Sequence, residues 1–321
     1  MTPTDLFRHS VHGRGLAEIR QVTVADGPGT GGRLIELRTA SGLTADIALD
    51  RGGDLLRLAF RGQEVGWHSA TRAPSPWPDA EAEHGLGFLR GFDGFLVTCG
   101  LDHHGVPAET NAEKLNYPLR KTNVHPLHGR IATQKAELLQ KDIDWEADTA
   151  QVTLRVQQAS VFGEVLELRR SYLFSLSQPR LEIHDRVTNR SFRPARHGIL
   201  YHVNIGYPTL NPETRLTGDQ WALRDRLDDG SASPCDNHVE IVDTALSPQD
   251  GQIGLRGGNG LSLRLGFDPG ALPVTALWRA FQSGVFALGL EPQTDFEDTE
   301  KSWLQGGEFR DYRLSIAVQV P

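Results

Sequence analysis

Residues 285–294 read VFALGLEPQT, an apolar, strand-like run through Val285, Phe286, Ala287, Leu288 and Leu290 that ends in Glu291. Pro292 is expected to stop the pairing there, because proline brings no N–H to a sheet. A carboxylate at the lip of an apolar strand is costly to desolvate, and it is well placed to act as a general base. Three other stretches carry groups of the same kind. HGILYHVNIGYP holds His197, His202 and Asn204, and HPLHGR holds His125, His128 and Arg130. FLRGFDGFLVTCGLDHHG holds Arg90, Asp93, Asp102, His103 and His104. In strand alternation Leu200, His202 and Asn204 share a face, so two polar groups lie where apolar ones are expected.

Each stretch alone has a plain structural reading, since a lone histidine on a strand is more often a satisfied core or surface residue. Together they suggest one shared cleft. A metal is the first competitor, through the HxxH spacing of His125 and His128 and the adjacent pair His103 and His104. Zinc needs three or four ligands of fixed geometry, and no HExxH occurs. No GxSxG occurs either, which argues against a serine nucleophile.

The elements that must position these groups are strands. In QVTLRVQQA, Val152, Leu154 and Val156 fall on one face; near the C-terminus Tyr312, Leu314, Ile316, Val318 and Val320 do the same. LELRRSYLFSL and RLEIHDRVTN continue the period of two. GRLIELRTA and LTADIAL predict a hairpin across Ser41 and Gly42, and residues 136–148 are the least strand-like stretch. The 34 glycines and 18 prolines exceed the usual share and signal many turns. Residues 70–87 are expected to form a long surface loop. Residues 27–32 form a glycine-rich turn without the lysine of a phosphate loop. Strands without intervening helices predict antiparallel sheets packed as a sandwich. No composition shift marks a boundary and no repeat is found, so residues 1–321 are expected to form one domain.

Net charge is -8 over 321 residues, a poor match for nucleic acid, which needs a basic face. With two cysteines, Cys99 and Cys235, there is no disulfide framework. No signal-peptide core or membrane-length apolar stretch is found, so a cytoplasmic protein with no membrane partner is expected.

Five motifs, in order along most of the chain, resemble the aldose 1-epimerase (galactose mutarotase-like) superfamily, most closely its uncharacterised branch. They are DRGGDLLRLAFRG at 50–62, GFDGFLVTCGL at 91–101, PLHGRI at 126–131, LYHVNIGYP at 200–208 and GLEPQT at 289–294. The resemblance implies an all-β fold, a β-supersandwich of large antiparallel sheets with a sugar cleft on a concave face. It implies Glu291 as general base, His202 as general acid with Asn204 beside it, and His128 as a sugar-binding residue. Arg90 is taken as the substrate-orienting arginine in preference to Arg51, and Asp102 as the acid that binds sugar hydroxyls. Trp67 and Trp278 are candidate platforms for the sugar ring. Glu291, charged, is expected to keep His202 protonated.

The implied activity is aldose 1-epimerisation of a small-molecule sugar, with no metal or organic cofactor. The alternatives are a lyase or isomerase acting on a modified or anionic sugar, and a carbohydrate-binding protein without turnover. Arg51, Arg90, Arg130 and Arg279 raise the anionic sugar, because arginine suits carboxylate and phosphate. No motif specifies the sugar or an oligomeric state.

Overall fold

The structure, a computed structural model, describes residues 8–112, 120–218, 221–227, 231–295 and 302–319. Two large antiparallel sheets dominate it. The larger runs, edge to edge, through Glu18–Thr23, Arg33–Arg38, Leu43–Ala48, Asp54–Phe60, Leu96–Leu101, Gly198–Ile205, Ala287–Gln293, Val274–Ala280 and Ile241–Leu246. A short strand, Gln63–Glu64, adds to Asp54–Phe60. The second sheet orders Arg215–Thr217, Gln252–Arg256, Ser262–Phe267, Phe309–Gln319, Arg180–Asn189, Val165–Ser175, Thr149–Ala159 and Ala136–Asp144. Helix is confined to single turns among the described residues, and none is long and apolar enough to cross a membrane.

Alternation decides which side chains meet. Val152, Leu154 and Val156 are buried, as are Tyr312, Leu314, Ile316 and Val318; Val320 lies outside the described residues. They pack against Leu96, Ile199, Tyr201, Val203, Leu288 and Leu290 of the larger sheet. The predicted hairpin is present, with Arg38 paired to Thr44. Residues 136–148 are a correction: Ala136–Asp144 is a strand at the sheet's edge. With a neighbour on one side only and much of its length exposed, it has no reason to keep a clean apolar alternation. The loop at 70–87 is a surface segment anchored by buried Trp77 and Ala80.

A buried polar cluster ties the two sheets together. Arg170, fully buried, donates to both carboxylate oxygens of Asp185 at 2.8 and 2.6 Å, and to Thr98 Oγ1 at 2.7 Å. The Tyr201 hydroxyl donates to Asp185 Oδ2 at 2.7 Å. Thr98 and Tyr201 belong to Leu96–Leu101 and Gly198–Ile205. The central strands of the larger sheet are thus fixed from beneath by charge-assisted bonds.

Candidate active site

The opposite face of those central strands carries a second apolar cluster, distinct from the inter-sheet core. It includes Trp67, Trp77, Phe88, Phe92, Val97, Cys99, Leu200 and Trp278. A cavity of about 300 Å³ opens on this face. Its floor is strand residues at alternate positions: Leu200 and His202, Glu291 and Gln293, Ala276 and Trp278. Its walls come from Phe88, Phe92, Leu127, His128 and the edge-strand side chains Val242 and Thr244.

His202 and Glu291 meet at the centre. Gly198–Ile205 pairs with Ala287–Gln293 through Leu200 with Gln293 and Val203 with Leu290. That register sets His202 directly opposite Glu291, and directly opposed residues of an antiparallel pair project from the same face. The pairing is interrupted at just these positions. Pro292 does not end the strand, as expected from sequence; it sits inside it, opposite Thr275 of the other neighbour. Its missing N–H removes one ladder bond to Gly198–Ile205 instead. His202 Nε2 lies 3.1 Å from Glu291 Oε1, both side chains about 95% buried. Gly289 leaves room for the pair: a Cβ there would lie 2.7 Å from Glu291 Oε1 and 3.1 Å from His202 Cε1.

Burial sets the protons of this pair. It pushes the Glu291 carboxyl up to about 8, with Glu240 adding to the rise. It pushes His202 well below its usual range; His128 lowers it further and the Asn204 amide opposes. The expected carboxylate–imidazolium pair is therefore corrected: the desolvation cost of two charges wins. Burial thus favours the neutral form of each group, the carboxylic acid and the uncharged imidazole.

His128 sits in a left-handed conformation, φ 59°. Its backbone N–H donates to the Gly105 carbonyl at 2.8 Å, and the Gly105 N–H donates to its Nδ1 at 3.3 Å. With Nδ1 accepting, the neutral ring carries its proton on Nε2. The following Gly129 has φ 72°, and a Cβ there would meet the carbonyls of His103 and Gly100 at 2.3 and 2.4 Å. Only glycine fits that approach. The His128 and His202 rings lie 5.5 Å apart, with Phe92 and Trp278 packed against His202 at 4.8 and 5.2 Å.

The remaining sequence candidates fall elsewhere. Asn204 is fully buried, donates to the Gly94 carbonyl at 2.9 Å and does not line the cavity. Arg90 is on the surface, paired with Glu83 at 2.5 Å, away from the cavity lining. Asp102 is buried in a separate network, accepting from His125 Nδ1 at 2.8 Å, Arg130 at 3.0 Å and Gln158 at 2.6 Å. These donors hold it down to about 2 despite burial. The family resemblance offered Arg90 and Asp102 as sugar ligands; their side chains are held by protein partners. Arg51 is buried and donates to the carbonyls of Gly91 and Asp93, both at 2.9 Å, with its guanidinium 4.1 Å above the Trp77 ring. It therefore clamps the segment that presents Phe92. Trp67 supports Trp278 from behind, with ring centroids 5.9 Å apart. His125 and His128 face different surroundings, and no group of three His, Cys, Asp or Glu among the described residues is arranged to hold a metal.

Sequence reading missed Glu240. It lies at the cavity wall with Val242 and Thr244, immediately before and along the edge strand Ile241–Leu246. The signal available was the alternation of 240, 242 and 244, which puts them on one face.

The profile of DUF4432, a domain of unknown function, matches residues 29–318, and the chain belongs to that family. No curated protein matches it. Solved structures do. A candidate aldose 1-epimerase from Klebsiella pneumoniae subsp. pneumoniae MGH 78578 superposes with a TM-score of 0.80 at 23% identity, over 94% of this chain and 83% of that one. A galactose mutarotase-like protein from Clostridium acetobutylicum gives 0.66 at 14% identity, covering 96% and 100%. The galactose 1-epimerase of Lactobacillus acidophilus NCFM gives 0.56 at 11%, covering 95% and 99%. The fold is galactose mutarotase-like.

Proposed function

We propose that the protein is an aldose 1-epimerase working through Glu291 and His202. The observation that carries this reading is the 3.1 Å approach of the two side chains at the floor of an apolar, open cavity. A binding site for sugar alone has no need of a buried acid and base set 3.1 Å apart. Mutarotation needs one. As the ring opens, the carboxylate takes the proton of the anomeric hydroxyl, the bond from C1 to the ring oxygen breaks, and imidazolium protonates that oxygen. C1 becomes a carbonyl carbon, rotation exposes its other face, and closure runs the transfers backwards.

Carboxylate plus imidazolium and carboxylic acid plus imidazole contain the same single proton. Ring opening converts the first into the second. Burial disfavours the first form, so the charged pair that opens the ring is the one that contacts from the sugar hydroxyls must stabilise. From there the Glu291 acid returns its proton to the carbonyl oxygen while His202 takes one from the attacking hydroxyl. Each positioned group is worth about 10²–10⁴-fold. His128, with a donor nitrogen, is proposed to bind a sugar hydroxyl; Glu240, in place of Asp102, is proposed to accept one; Trp278 faces the ring. Two-dimensional exchange NMR on a panel of aldoses tests the reading, because it reports anomer interconversion directly. Rates equal to the spontaneous rate for every sugar would reject it.

A further inference from the structure

Resting on the aldose 1-epimerase reading, we infer that this cleft takes uncharged sugars and turns away sugar phosphates and uronates, with Glu240 as the residue that sets the discrimination. The cavity lining contains two carboxyl groups, Glu240 at the rim and Glu291, which burial keeps protonated, and no lysine or arginine among the described residues. None of the four arginines that raised an anionic substrate lines the cavity. Arg51 is buried away from it, its Nη2 donating to the backbone carbonyls on either side of Phe92. Arg90 pairs with Glu83. Arg130 bridges Glu81 at 2.6 Å and Asp102 at 3.0 Å. Arg279 pairs with Asp243.

The lining histidines do not substitute for them. His128 is held down to about 3 and His202 well below its usual range, chiefly by burial, so both are neutral near pH 7. A phosphate or carboxylate entering the cavity would give up water without meeting a cation, which is the costly case for a charge. It would also meet Glu240, whose carboxylate is exposed and has no ion pair among the described residues. Like charges set face to face suppress wrong partners. The largest part of the remaining lining is apolar, from Phe88, Phe92, Leu127, Leu200 and Trp278. Such a surface suits the C–H face of a neutral pyranose or furanose.

The test uses the full chain. Glucose, galactose, glucuronate and glucose 6-phosphate are compared by exchange NMR for turnover and by saturation-transfer difference for binding, with wild type, Glu240→Gln and Glu240→Arg. Wild type is expected to favour the neutral sugars in kcat/KM by roughly tenfold or more, the scale of a like-charge contact. Glu240→Gln should narrow that ratio, and Glu240→Arg should narrow it further or reverse it. Wild-type turnover or binding of the anionic sugars equal to that of the neutral ones overturns the inference and leaves the epimerase reading intact. A ratio unmoved in both variants removes Glu240 from the role. If no sugar is turned over, the epimerase reading fails and the binding arm still decides: neutral sugars bound and anionic ones rejected support charge selection, while any other pattern overturns it.

Discussion

His202 and Glu291 stand directly opposite each other on adjacent antiparallel strands, at the place where Pro292 leaves the backbone ladder short of one bond. Their 3.1 Å separation follows from register, since no loop conformation is needed to bring them together. Sites built on strands in this way are held more precisely than sites built on loops.

Glu291→Gln should abolish catalysed anomer exchange while sugar binding persists. Glutamine has nearly the same shape and takes up no proton at neutral pH. Exchange NMR and saturation-transfer difference on the same sample separate the two quantities. Wild-type exchange in this variant would remove Glu291 as the base.

His202→Asn should lower turnover by about 10²-fold or more, the range for a positioned acid. Melting temperature distinguishes this from a purely structural role. A histidine that only fills the sheet would cost thermal stability and leave turnover per molecule near normal.

Gly289→Ala places a methyl group 2.7 Å from Glu291 Oε1 and 3.0 Å from Trp278 Cβ. The pair must separate or the tryptophan must move. Overpacking of this kind costs roughly 1–3 kcal/mol, readable by urea denaturation, and turnover should fall with it. Unchanged kcat would mean that the 3.1 Å approach is dispensable.

Arg51→Ala and Arg90→Ala should behave in opposite ways. The first removes two charged hydrogen bonds to buried carbonyls, each worth about 1.5–3 kcal/mol, and frees the segment that seats Phe92 against His202. The second breaks a surface ion pair, worth roughly 0–1 kcal/mol. A loss of turnover on Arg90→Ala without loss of stability would restore Arg90 as a sugar ligand.

Stability should peak near pH 6.5. Burial keeps His104 and His202 neutral in the folded chain and lowers His103 and His197 to about 4 and His128 to about 3. Unfolded, all five take protons near 6.5. The unfolded chain therefore binds more protons below that pH, and stability falls with acidification. Asp54, raised to about 6, Asp46, also raised, and Glu291, raised to about 8, all by burial, oppose this in the same acid range, as three groups against five. Glu291 works in the other direction: folded, it keeps a proton up to about 8 that the unfolded chain has released, so its contribution is lost as pH rises. His68, raised to about 9 by Asp93 and then Glu64, adds to that alkaline loss. Denaturation curves from pH 4 to 9 check the shape, and Glu291→Gln should flatten the limb between about 6.5 and 8.

Much of this arrangement can be read from alternation. The polar pair His202 and Asn204 stood out against Leu200 because a strand face is expected to be of one kind; His202 reaches the cavity, whereas Asn204 turns out to be locked to Gly94. Glu291 stood out in the same way. Glu240 did not, because it precedes an exposed edge strand where polar and apolar residues mix freely. Arg90 and Asp102 illustrate the converse. Their types fit sugar recognition, but sequence does not show that Glu83, His125, Arg130 and Gln158 occupy them first. The proton distribution within the central pair was also illegible, since it depends on burial that only the packed aromatic walls create.

The interruption of apolar seams into two sets, one beneath the central strands and one above, has a consequence for divergence. Leu200 and His202 of Gly198–Ile205 look outward to the cavity, while Ile199, Tyr201, Val203 and Ile205 look inward. The same division holds for Leu288 and Leu290 against Glu291 and Gln293. Outward positions can therefore be exchanged without disturbing the inward seam that closes the sandwich. A combinatorial library restricted to Leu200, Val242, Thr244, Ala276 and Gln293 would sample new ligand preferences on an unchanged scaffold, a separation that a helical bundle, with its shared stripes, does not offer.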